Sequence, residues 1–248
     1  MSEACAYACG SEIVAGRRRG ACRLILMNLL VGCIGFAVAA PAVLGADAAR
    51  PLITEVLANV PQGVEGDASG DGTRDAVGDE FVEIHNPFDR PINLEGYVIE
   101  DGHPKSESSR WRFTFPAARL EPGQCAVVFN GVGTKVAGPV GTEKRAAGPN
   151  SRFGGALVFV STNKSSRTGM ANKGDWVMLR EPSGKGVHAV LWGEPDTRPP
   201  GGVPTDESDD AWGESYALEG LDADGFVPHT ELSAGGREGV LFSPGQFP

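Results

Sequence analysis

Cysteine is scarce where a disulfide framework would need it. Of 5 cysteines, Cys5, Cys9, Cys22 and Cys33 lie within the first 48 residues, leaving Cys125 alone in the remainder. A domain beginning after that point has no intrachain disulfide, and Cys125, inside the apolar run QCAVVF, reads as a small buried side chain. Aromatic residues make up only 7% and long helical apolar periodicities are few, which argues against a helical bundle. Positive charge is in deficit as well, with 22 Lys and Arg against 32 Asp and Glu. Without the 4 basic and 3 acidic residues of positions 1–48 the balance is 18 against 29, a net charge near −11. Such a surface repels nucleic-acid phosphates and anionic lipid heads, so no nucleic acid is expected as a partner.

Catalytic signatures are equally thin. His85, His103, His188 and His229 stand apart, without metal-ligand spacing. The stretch GESYA at 213–217 grazes a nucleophile elbow but lacks its last glycine, and Lys185 in PSGKG is not a phosphate loop. These absences favour a protein that is not an enzyme.

The N-terminus is where positive charge does concentrate. Arg17, Arg18, Arg19 and Arg23 precede an uncharged, mostly apolar run over 24–46, and Ala46-Asp47-Ala48 supplies small residues for cleavage, placing a mature start near Ala49. An uncleaved membrane anchor is an alternative, and Leu30-Val31-Gly32-Cys33 offers a third, lipidation of Cys33. Each exports the domain at 49–248, to a secreted or periplasmic and cell-envelope location.

With 35 Gly and 18 Pro, the mature chain is punctuated into short strands joined by turns, an all-β pattern. Strands are expected over 51–60, at Phe81–His85, over 92–101 with Gly96 as a bulge or close approach, at Cys125–Phe129, at Ala156–Val160, and over 176–179, 187–192 and 215–218. In the second of these Val82 and Ile84 share the core face and Glu83 and His85 the other. Trp111, Phe113 and Phe115 alternate, so their rings fall on one sheet face, read as core. A long Gly/Pro-rich loop over 130–155 and a flexible Pro/Gly/acidic excursion over 193–214 complete the outline.

The segment DASGDGTRD, residues 67–75, matches the first nine positions of a calcium loop: Asp67, Ser69, Asp71 and Asp75 at positions one, three, five and nine, glycine at six, and Thr73 offering its carbonyl at seven. Position twelve is Gly78, so Asp79 or Glu80 has to close the shell from a displaced place. Crowded carboxylates repel by about 1 kcal/mol per pair in water and more near a protein surface, a penalty a divalent cation removes. Calcium is therefore expected as a structural cofactor.

Taken together, ITEVLAN, DEFVEIHN, INLEGYVIED, LEPGQCAVV, KGDWVMLREPSGKGV and the closing FSPGQF resemble, in order and spacing, a lamin tail domain of the bacterial exported type over most of residues 51–248. The resemblance implies an immunoglobulin-like β-sandwich with long surface loops, acting as a binding or scaffolding domain for a protein or envelope ligand. No heptad-repeating rod accompanies it, so filament formation is not implied. A small metal-dependent hydrolase using the acidic loop is the alternative, and self-association through edge strands also stays open.

Overall fold

The computed structural model describes residues 49–102, 110–163, 165, 168–208, 212–233 and 236–248, all within the unit Gly45–Pro248. Residues 1–48, where a targeting segment is expected and which include Cys33, lie outside the described residues, as do His103, Asp209 and Asp210.

In chain order the strands are β1 (Leu52–Leu57), β2 (Phe81–His85), β3 (Ile92–Asn93), β4 (Val98–Asp101), β5 (Arg112–Thr114), β6 (Arg119–Leu120) and β7 (Cys125–Phe129). They continue with β8 (Pro149–Asn150), β9 (Ala156–Val160), β10 (Gly174–Arg180), β11 (Gly186–Gly193), β12 (Thr205–Ser208), β13 (Tyr216–Leu218) and β14 (Phe226–Pro228). One sheet has the order β14-β13-β1-β2-β7-β9-β8, the second β12-β11-β10-β4-β5, and β3 and β6 form a small ribbon. Among the described residues helix is limited to single 3-10 turns. The architecture is the expected all-β, immunoglobulin-like sandwich.

Turn chemistry places the strands. Glu121 to Gln124 closes a turn with Gly123 at φ 70, handing β6 to β7. Gly96, also at positive φ (78), turns β3 into β4, and a Cβ there would lie 3.2 Å from Pro182, so the expected close approach is present. Most strand pairs are antiparallel, but β7 pairs β9 in parallel, and the long loop over 130–155 supplies the crossover that parallel pairing requires.

Aromatic rings join the two sheets through the core. Trp111, Phe113 and Phe115 are all buried, with the Phe113 and Phe159 centroids 5.6 Å apart, and Trp192 stacks on Tyr216 at 5.7 Å. Each such ring removed from water is worth roughly 1.5–3 kcal/mol. Val82 and Ile84 are buried as their alternation requires.

Glu83 and His85, on the opposite face of β2, are buried too, at 0% and 3% exposure. The C-terminal tail covers them: Phe247 lies 4.7 Å from the His85 ring and Phe242 6.5 Å from Phe81, while the Gly245 amide donates to Glu83. Alternation assigned the faces correctly, but it carried no information about the chain that returns to cover the second one.

A polar stitch crosses between the sheets. The pairing of β1 with β2 shifts register between Ile53 and Glu55, and the Ile53 amide donates to Nδ1 of His188 on β11 at 3.1 Å. With Nδ1 accepting, Nε2 carries the proton and donates to Asp206 at 2.9 Å. That bond holds β12, parallel to β11, so part of the stretch expected as a flexible excursion is an edge strand.

Candidate functional site

Between β1 and β2 the chain makes a 23-residue excursion whose order is fixed by its own carboxylates. Asp67 accepts from the amides of Asp71 (3.0 Å) and Gly72 (2.7 Å), and Ser69 Oγ lies 3.3 Å from it. Asp71 accepts from the Thr73 amide at 2.9 Å and, across the loop, from the Lys135 amide at 2.8 Å. Asp75 accepts from Val77 and Gly78 at 2.9 and 2.7 Å. Asp79 is fully buried and accepts from Ser69 and Asp75 at 2.8 and 2.7 Å, closing the loop on itself. Charge-assisted bonds to amides of this kind are about twice as strong as neutral ones.

Asp67, Ser69, Asp75 and Asp79 are thus brought together through the backbone, and Thr73 stays exposed at the loop's tip. Glu80 is set apart, 1% exposed, accepting from Asn130 Nδ2 at 2.9 Å and the Met170 amide at 3.2 Å. Burial pushes the Glu80 carboxyl well above its usual range and raises that of Asp79. Among the described residues no group of three or more His, Cys, Asp or Glu side chains is placed to hold a metal ion.

Arg74, the lone cation of the acidic stretch, turns away from its neighbours. Its Nε donates to the Pro61 carbonyl at 2.8 Å and its NH2 group to the Val60 carbonyl at 2.9 Å. Gly66 packs against the same carbonyl, where a Cβ would come within 2.1 Å of Pro61 O. The acidic loop therefore clamps the segment just after β1, and that segment forms one side of a cleft of about 500 Å³.

Pro61, Gln62 and Glu65 line the cleft together with Asn59, Asn172 and Trp212, and Val60, Gly213 and Leu241 complete the lining. Asn172 Nδ2 donates to Asn59 Oδ1 at 3.0 Å, while Asn59 Nδ2 is buried with no acceptor. Trp212 is 62% exposed, whereas Trp111, Trp176 and Trp192 are buried. Sequence reading passed over this cleft. Its parts lie in four separate stretches of the chain, and the one local signal for it is a tryptophan within a polar Pro/Gly-rich stretch.

A second polar constellation lies beneath the C-terminal tail. Glu55 accepts from Ser215 Oγ (2.7 Å) and the Ser243 amide (2.8 Å), and Glu83 from Thr54 Oγ1 (2.7 Å). His229 Nε2 lies 2.8 Å from Ser243 Oγ, a spacing familiar from nucleophile and base pairs. Both side chains are sealed, at 0% and 2% exposure, so the hydroxyl has no path to a substrate and the network is a fastening. Burial raises the Glu83 carboxyl, with the Glu55 charge adding to it, and holds His85 down to about 4. Burial also pushes up the thiol of Cys125, 3.6 Å from His85, in keeping with an inert interior cysteine.

The family model described as Lamin Tail Domain matches residues 47–194, more than half of the 248. No curated protein matches the sequence.

Proposed function

The chain belongs to the lamin tail domain family, and from that premise we propose that it works outside the cytoplasm as a binding module without catalytic activity of its own. The observation that carries binding is the cleft beside β1, where an exposed tryptophan shares a mixed apolar and amide lining with a segment braced by Arg74. Ligand sites are concave, largely preformed and lined by aromatic and a few polar groups, and this cleft has each property. Export is supported by the arginine-led apolar segment of residues 17–46, and the ligand is accordingly a protein or another component of the envelope.

The acidic loop serves this site as a brace, because its amide bonds fix Arg74 and through it the carbonyls of Val60 and Pro61. Calcium at Asp67, Ser69, Asp71, Thr73 and Asp75, with Asp79 or Glu80, is a second reading. In its favour, a carboxylate has about four lone-pair sites, and Asp67, Asp71 and Asp75 spend only part of theirs on amides.

A metal-dependent hydrolase built on the same carboxylates is the competing function. It is tested by assaying the protein and Asp71→Asn on phosphodiester, ester and glycan panels with added divalent cations. A binding module turns over none of them. A turnover that Asp71→Asn abolishes would establish the hydrolase.

A further inference from the structure

We propose that the cleft between the segment after β1 and Trp212 is a saccharide subsite, taking neutral sugar rings. This rests on the binding-module reading above and names its ligand class.

The lining selects the chemistry. Trp212 offers a broad exposed indole at the cleft. The negative face of such a ring attracts the polarised C–H hydrogens on the flat side of a pyranose. Asn59, Gln62 and Asn172 contribute carboxamides and Glu65 a carboxylate. A carboxamide both donates and accepts, as does a sugar hydroxyl, so a ring carrying several hydroxyls can be matched group by group. Asn59 supplies the most pointed observation: it is 6% exposed, its Oδ1 is used by Asn172, and its Nδ2 has no acceptor. A buried donor left unmade costs about 1–3 kcal/mol, which a ligand oxygen reaching it would relieve.

Charge narrows the class. Among the described residues no cation lines the cleft, and the guanidinium of Arg74 is spent on the Val60 and Pro61 carbonyls. Phosphorylated, sulfated and other anionic ligands are thereby disfavoured in a domain of net charge near −11. A proline-rich peptide would want grooves between several aromatic rings, whereas among the described residues Trp212 is the one aromatic in the lining, beside the carboxamides of Asn59, Gln62 and Asn172. The volume of about 500 Å³ lies within the range of small-ligand sites. The bonds from Arg74 and Asn172 fix the walls in advance, which reduces the ordering cost on binding.

The buried state of the other three tryptophans makes the test direct, since Trp212 is the indole accessible to a quencher. The full chain is titrated with cellotetraose, with the tetramer of N-acetylglucosamine, with decaproline and with whole envelope material, reading acrylamide quenching and, for the soluble probes, calorimetric affinity. Protection of Trp212 by either sugar, with affinity at least about tenfold weaker in Trp212→Ala and largely kept in Trp212→Phe, supports the proposal. Trp212 is exposed, so its truncation leaves the fold intact, as a thermal melt verifies. Protection by decaproline or envelope material but by neither sugar overturns the saccharide assignment and leaves the binding module standing. No protection by any of the four overturns both.

Discussion

The backbone amide of Ser243 donates to Oε1 of Glu55 at 2.8 Å, fastening the end of the chain to its first strand across 188 residues. Ser215 Oγ binds the same oxygen at 2.7 Å, so one buried carboxylate holds β1, the approach to β13 and the C-terminal tail at one point. Removing it takes the acceptor from the Ser215 hydroxyl and from the amide and hydroxyl of Ser243, and leaves a cavity. Glu55→Ala is expected to lower unfolding free energy by about 3–5 kcal/mol in urea titrations. Ser243→Ala keeps the amide and is expected to cost only about 1–2 kcal/mol.

The same covered face sets a pH dependence. Glu83 has a folded pKa raised above its ordinary 4.5, so its contribution is full below that value and is lost as pH rises through the folded pKa. Buried Glu80 and Asp79 act with the same sign. His85, lowered from 6.5 to about 4, works oppositely: its contribution is present above 6.5 and is lost as pH falls towards 4. Melting temperature is expected to fall off on both sides of the mildly acidic range, and Glu83→Gln to flatten the alkaline side alone.

For the acidic loop the discriminating quantity is the response to calcium. A loop held by its own amides gives the same melting temperature in millimolar calcium and in chelator. A bound ion at 100 times its Kd adds about 2.7 kcal/mol, equivalent to a rise of roughly 5–10 °C. In either case Asp79→Ala is expected to cost about 2–4 kcal/mol, because the buried amide of Ser69 and the half-buried amide of Asp75 lose their acceptor.

Much of this fold is legible in short-range pattern. Alternation found β2 and placed Val82 and Ile84 inward, and Pro122-Gly123 marked a turn whose glycine is at positive φ. What pattern did not contain is what covers a face. Alternation put Glu83 and His85 on the face opposite Val82 and Ile84 without saying what covers it, because the tail that buries them returns 162 residues later, and FSPGQF gave no sign of where it lands. Thr205–Ser208 reads as a mobile acidic stretch, yet it is an edge strand because Asp206 finds His188. The DASGDGTRD loop shows the same limit at close range. Residue spacing identified the carboxylates, while the backbone path decides which amides they meet and how Arg74 leaves the loop to brace the cleft.

The binding role itself is tested most directly by cosedimentation with the insoluble cell-envelope fraction, comparing the full chain with Trp212→Ala at equal concentration. Expected is retention of the unsubstituted protein in the pellet and at least about tenfold less of the variant, since an aromatic anchor typically carries 2 kcal/mol or more. Equal sedimentation of the two, or none of either, would contradict a binding module that works through this cleft.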